Sequence, residues 1–409
     1  GGGTESAHIR LYVWNGAINA WKNNPLFGTG VETFAFAYFK YKPAGQNLTS
    51  EWNFLYNKAH NEYLNYLATT GIFGLGTYLL MIGYFLFLSL KQFKANYTLD
   101  AKRYTLVIAL LASYISILVT NFFGFSVVIT NIYLFLIPAF VFVLTGILPE
   151  NKSGIENHES RNLYQWTSIF FIILASLFMI QNLFQFWRAD IAYALGYNLD
   201  RAGEYQSAYP HLKKAVELRR SEPIFKDELS VNNAIIAASL IAQKNQNNQD
   251  QTLSVASSLA QEAINLSNKI ISQYQNNAVF WKTRVRVFYT LSQVDSRYLP
   301  RALDAIEKAA LIAPNDANIL YNLGVLYGQN SNITKGVEIL EKTIQLKPDY
   351  RDAHYALGLF YRSQALDSTG KIVVNDLLNK KAIAQMQYIL DNLSPNDSGA
   401  LGSIKTWTL

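Results

Sequence analysis

The apolar positions of this chain fall into two regimes. From Gly71 to Leu90 the chain carries no charge, and roughly twenty such residues are enough for a helix to cross a bilayer. The uncharged stretch Tyr104–Pro149 is too long for one crossing. It breaks near Asn121-Phe122-Phe123-Gly124, which predicts spans at about 104–120 and 131–148. A fourth apolar run covers about 162–186. Ahead of these, Leu11, Val13, Trp14, Ala17, Ile18 and Trp21 recur at helical spacing, which predicts an amphipathic helix over 9–21, suited to the headgroup region. After Trp187 the long apolar runs stop and ordinary amphipathic helix patterning takes over. The pattern predicts an all-α protein in two parts: a multi-span membrane domain over 1–186, with an outer loop at 1–70, and a soluble domain over 187–409.

Loop charges orient the spans. Lys91, Lys94, Lys102 and Arg103 crowd the first connection, whereas 121–130 carries no charge and 149–161 is mixed. Basic loops stay in the cytoplasm, and an even number of spans then puts residues 1–62 and the tail together on the outer side. The chain opens Gly1-Gly2-Gly3-Thr4, with no initiator Met and no signal peptide. That start predicts further transmembrane helices ahead of residue 1.

The tail repeats itself. Leu323-Gly324 returns as Leu357-Gly358, Tyr327 as Tyr361 and Pro314 as Pro348, each at a separation of 34 residues. With Ala302, Ala309 and Leu340, this is similar to the tetratricopeptide (TPR) pattern of paired helices stacked into an α-solenoid. A weaker copy starts at Leu195-Gly196, with Ala208 and Ala215. A degenerate copy is expected over 226–290, with an Asn/Gln-rich loop at 244–251, and the last copy is interrupted over 366–376.

Composition narrows the chemistry. The net charge of +6 is spread along the chain rather than gathered in a patch, so nucleic acid is not an expected partner, and the basic excess suits anionic lipid phosphates. With no cysteine, disulfides, thiolate nucleophiles and Cys-ligated metals are excluded. The five histidines (His8, His60, His158, His211, His354) show no ligand spacing, so no metal or other cofactor is expected. The run Asn57-Lys58-Ala59-His60-Asn61-Glu62 stands at the mouth of the first span. There it can meet a substrate whose tail lies in lipid and whose head reaches water. Gly71, Gly74 and Gly76 predict a helix-packing surface. Phe34, Phe36, Tyr38, Phe39 and Tyr41 predict an interfacial aromatic belt rather than a sugar platform, and Lys40 and Lys42 a solvated face. No motif is assigned to 40–58.

Four motifs in order carry a resemblance: Arg10-Leu11-Tyr12-Val13-Trp14, Asn24-Pro25-Leu26-Phe27-Gly28-Thr29-Gly30, Ala59-His60-Asn61-Glu62-Tyr63-Leu64 and Gly71-Ile72-Phe73-Gly74-Leu75. Their order resembles the C-terminal half of the bacterial O-antigen ligase and O-antigen polymerase superfamily. The resemblance covers about 8–90 by motif and the later spans by topology alone. The family's N-terminal half, with its other functional arginine, is absent here. A TPR tail is similar to that of some family members.

The resemblance implies a glycosyltransferase C-type fold in the bacterial inner membrane, a metal-independent transfer of glycan from a polyprenyl diphosphate, and an acceptor that is a glycan, lipid or protein. It assigns Arg10 and His60 as catalytic residues. A guanidinium grips two phosphate oxygens of the leaving diphosphate at once, and an imidazole takes the proton of the acceptor hydroxyl. Lys58 is a further candidate for phosphate stabilisation, and Glu62 either orients the imidazole or faces water. Ligase and polymerase differ only in acceptor. The rival readings are a membrane-anchored TPR scaffold that recruits a protein partner for envelope assembly, and a transporter. An anchor does not need the ordered Arg10 and His60 motifs, and the expected spans hold no ionisable residue of the kind ion-coupled transporters carry.

Overall fold

A computed structural model describes residues 2–95, 101–147, 163–243, 249–366 and 376–408. The described residues are overwhelmingly helical and contain no strand. His158, the 149–161 loop, most of the 244–251 loop and most of the 366–376 interruption lie outside the described residues. The chain divides into two compact units, Gly1–Arg161 and Asn162–Leu409.

The first unit starts with α1 (Gly2–Asn23), whose Ile9, Val13, Ala17 and Ala20 form one buried stripe. That stripe is covered by Phe34 and Tyr38 of α2 (Phe34–Tyr41) and by Tyr56, Ala59 and Ala68. Part of the apolar face expected to lie in headgroups, Val13 and Ala17, is therefore packed on protein, whereas Leu11 stays exposed. Two of the expected belt aromatics, Phe34 and Tyr38, are core for the same reason. Lys42 is also buried rather than solvated, and its Nζ donates to the Trp52 carbonyl at 2.6 Å.

The first span belongs to a longer helix, α3 (Glu62–Ala95), broken at Gly71 (φ 68°, ψ −166°). The span-length helix α4 (Ala101–Phe123) and the apolar α5 (Val128–Leu144, 17 residues) follow. Tyr78, Ile82 and Phe85 of α3 pack with Val107 and Tyr114 of α4 and Leu134, Ile137 and Val141 of α5 in one core.

The second unit opens on α6 (Leu163–Arg201), which is at once the last apolar span and the first repeat helix. Its side chains are almost all exposed from Trp166 to Arg188, and burial starts at Ala189 and Ala192. The change of environment falls inside one continuous helix. Pairs then stack in order: α6 with α7 (Tyr205–Leu218), α8 (Pro223–Ala242) with α9 (Gln249–Gln273), α10 (Ala278–Ser292) with α11 (Leu299–Ile312), α12 (Ala317–Gln329) with α13 (Ile333–Leu346), and α14 (Arg351–Ala365) with α15 (Asp376–Tyr388), closed by α16 (Ser398–Trp407).

The repeat is visible at atomic scale. A Cβ on Gly324 would meet Leu340, and one on Gly196 would meet Leu212 at the same offset, so the glycine is where paired helices touch. Tyr327 donates to Glu307 and Tyr361 donates to Glu341, one bond made twice a repeat apart.

Candidate functional site

The site is assembled by a backbone clasp around the break in α3. Pro25 and Leu26 accept from the amides of Ile72 (2.9 Å) and Phe73 (3.3 Å), the first donors of the helix beyond the break. Thr29 and Gly30 donate to the carbonyls of Ala68 (3.0 Å) and Thr69 (2.8 Å), the last acceptors before it. One turn thus satisfies both orphaned helix ends. The fit needs bare backbone on both sides. A Cβ on Gly28 would stand 2.4 Å from Thr69, and one on Gly71 would stand 2.3 Å from Leu26, and both glycines have positive φ. Among the described residues, no other helix packs on the glycines of 71–76. Gly71 admits the loop, and Gly76 has nothing within 4 Å of its would-be Cβ.

With α3 anchored, its N-terminus is built from the Ala59–Leu64 motif. The Asn61 Oδ1 accepts from the Leu64 amide at 2.9 Å, a helix N-cap. Ala59 is fully buried, and its amide donates to the Asn65 Oδ1 at 3.4 Å. His60, held between these fixed neighbours, takes a left-handed conformation (φ 53°) that non-glycine residues seldom adopt. Its half-buried ring meets Phe125 edge-on at 5.2 Å between centroids and Tyr56 at 5.9 Å. Tyr56 in turn donates to Glu51.

Burial pushes the His60 pKa below its ordinary value. The Arg10 guanidinium pushes it the same way, and Glu51 pulls weakly against them. Arg10, on α1, is half-buried and has no hydrogen-bond or ion-pair partner among the described residues. The structure thus brings an unpaired cation and a neutral imidazole within electrostatic reach of each other. Arg10 can hold an anion, and His60 can accept a proton.

The other two expected residues are placed differently. Lys58 is bound by Glu32 at 2.6 and 2.7 Å, and Glu32 is itself left-handed (φ 58°). Glu62 neither faces water nor touches the imidazole. It is buried, and its Oε2 accepts from the Ser126 amide at 3.1 Å. As the first residue of α3 it holds the α4–α5 turn, which carries Phe125. Glu32, Glu51, Tyr56 and Phe125 are contributors that sequence reasoning missed. Only Tyr56 stands close enough in sequence to His60 to have been suspected. No three His, Asp or Glu side chains are grouped to hold a metal among the described residues.

Among the described residues, three helices are long and apolar enough to cross a membrane, and the helix pairs of the second unit carry the 34-residue spacing of TPR proteins. Residues 1–79 match the family model described as O-antigen ligase. No curated protein matches the chain. Among solved structures, a thermophilic TPR protein of Thermus thermophilus is similar at 16% identity and a TM-score of 0.36, over 54% of this chain and 98% of its own. MamA, residues 41 to the end, from Desulfovibrio magneticus RS-1 is similar at 18% identity and a TM-score of 0.37, over 52% of this chain and 98% of its own.

Proposed function

We propose that the protein is a membrane glycan transferase of the O-antigen ligase type. It moves a polyprenyl-diphosphate-linked glycan to an acceptor hydroxyl at the outer face of the bacterial plasma membrane. The observation that carries this reading is that unpaired Arg10 acts electrostatically on half-buried His60 within the segment that matches the ligase family. The acceptor hydroxyl oxygen attacks the anomeric carbon and forms the new glycosidic bond. The bond from that carbon to the diphosphate oxygen breaks, and its electron pair leaves on the diphosphate. The hydroxyl proton passes to His60, while Arg10 holds the phosphate oxygens as charge builds on them. A polymerase of the same superfamily would use the same residues with a growing glycan as acceptor. A scaffold is the second reading, favoured by the length of the solenoid.

Arg10→Lys keeps the charge and loses the fork. Transfer from purified polyprenyl-diphosphate glycan in reconstituted protein should fall by about ten- to a hundred-fold, the worth of a charge-assisted hydrogen bond. EDTA should leave the wild-type rate unchanged. Wild-type transfer by this variant at equal protein level would favour the scaffold.

The orientation is tested separately. The chain has no cysteine, so each introduced one is unique. In intact cells an impermeant maleimide should label Ser50→Cys and Gln329→Cys but not Lys102→Cys, all three at half-buried or exposed positions. Labelling of position 102 with protection of 329 would invert the topology.

A further inference from the structure

The solenoid carries a groove that neither repeat stacking nor the membrane site requires. It is made of two cavities, about 430 and 560 Å³, that share Asn268 as a wall. Each is within the size range of ligand clefts. The groove runs between α9 on one side and α10 and α11 on the other.

Beside the apolar Ile264, Ile271, Leu311 and Ile312, its lining has three chemical components. The first is amide. Gln261, Asn268, Gln275 and Asn276 line the α9 side and the turn that follows it. An amide side chain offers a donor and an acceptor in one plane, which matches neighbouring hydroxyls. The second is aromatic. Trp281 and Tyr298 stand at the two ends, and the Trp281 Nε1 donates to the Gln275 carbonyl at 2.7 Å, which fixes the ring. Such faces receive the C–H surface of a sugar ring.

The third component is cationic. Arg284, Arg297, Arg301 and Lys308 line the groove, against the single carboxylate of Asp295. Asp295 is consumed by Arg297 at 2.8 Å. Arg301 and Lys308 make no ion pair among the described residues. Arg284 sits half-buried at the junction of the cavities. Its Nη1 donates to the Ser267 Oγ (3.0 Å) and the Asn268 Oδ1 (2.8 Å), and its guanidinium lies 4.7 Å from the Phe288 ring centroid. These contacts orient Arg284 and leave its Nε and Nη2 without a partner among the described residues. Asp304 and Arg301 both act on its charge, in opposite senses.

We propose that this groove binds an acidic glycan, a polymer with carboxylate-bearing sugars, along its amide wall, with Arg284, Arg301 and Lys308 receiving the carboxylates. The choice of a sugar polymer over other anions rests on the glycan-transfer reading. The groove would then retain the polymer that the membrane site handles. An acidic polypeptide is the competing ligand, and the lining favours sugar because an amide wall on α9 faces rings and cations carried by α10, α11 and the turn between them.

The test is calorimetric titration of the full chain in nanodiscs with tetragalacturonate, neutral maltotetraose and tetraglutamate. Tetragalacturonate should bind, and more tightly than maltotetraose by about tenfold or more, since each carboxylate–guanidinium pair contributes a charge-assisted bond. Arg284→Gln should weaken it by a similar factor. So should the double variant Arg301→Gln with Lys308→Gln, whose side chains are exposed and outside the core. Added salt should weaken binding. Arg10→Lys should not change it.

Absence of tetragalacturonate binding overturns the proposal, as does equal binding of maltotetraose. Tetraglutamate binding as tight as tetragalacturonate, with the same arginine dependence, overturns it in favour of an acidic peptide. Binding lost with glycan transfer intact removes this inference alone. Transfer absent with arginine-dependent binding retained removes the proposed reaction and leaves the groove standing.

Discussion

His60→Ala should lower glycan transfer by roughly a hundred- to ten-thousand-fold, the range that a positioned general base supplies. The position tolerates the change structurally. The ring is half-buried and contacts Phe125 and Tyr56 through edges rather than hydrogen bonds. Loss of rate should therefore come without loss of protein. His8→Ala is the control, since His8 is exposed on the same helix as Arg10 and outside the matched motifs.

The pH dependence follows from the sign of the shift. Burial and Arg10 lower the His60 pKa from 6.5, so the imidazole is the free base at neutral pH. The acid limb of kcat/KM should lie below pH 6.5, and it should vanish from the residual activity of His60→Ala. Stability obeys the same linkage. A depressed folded pKa gives a contribution present above the unfolded value and lost as pH falls through the folded value. Thermal stability of the wild type should therefore decline on the acid side more steeply than that of His60→Gln. An acid limb above pH 6.5, or one that survives the substitution, would rule out His60 as the base.

Gly71→Ala should open the clasp. The left-handed backbone alone costs a non-glycine residue about 1–3 kcal/mol, and the new Cβ would also stand 2.3 Å from the Leu26 carbonyl carbon. The 25–30 turn must then lift from α3, exposing both helix ends and loosening the platform under His60. Proteolysis of the turn in detergent and a lowered unfolding temperature report this. Gly28→Ala should do the same from the other side, and the double variant should cost less than the sum, because both break one interface. Gly76→Ala, with open space around it, should be neutral or slightly stabilising. Equal behaviour of Gly71→Ala and Gly76→Ala would show that the clasp contributes nothing.

The periodic elements were legible before the structure, and the local ones were not. Helical spacing, apolar run length and the separation of 34 residues located α1, the span helices and the repeats, because each is a property of one segment. The side of α1 that is covered was not legible. Its partners Phe34, Tyr38 and Tyr56 come from a stretch with no periodicity of its own. At the candidate site, Arg10 and His60 are proposed from ordered motifs. Glu62 was misassigned because its acceptor role depends on the Ser126 amide, 64 residues away. The Glu32 partner of Lys58 was not legible, because Glu32 lies in an unpatterned loop. The Gly28–Gly71 approach was hidden for a related reason. Each glycine looks like an ordinary turn or packing residue until the two backbones are seen to touch.

One mechanical consequence follows from α6. The apolar stretch and the first solenoid helix share an uninterrupted rod, so there is no swivel between them. The angular bearing of the solenoid is set by residue count. Adding a single residue between Phe178 and Trp187 would turn the whole stack by about 100° about the rod and push it along by about 1.5 Å, while four added residues would leave it about 40° past its first bearing, some 6 Å further along. The bearing of the repeat helices about that rod is thus a matter of helical phase.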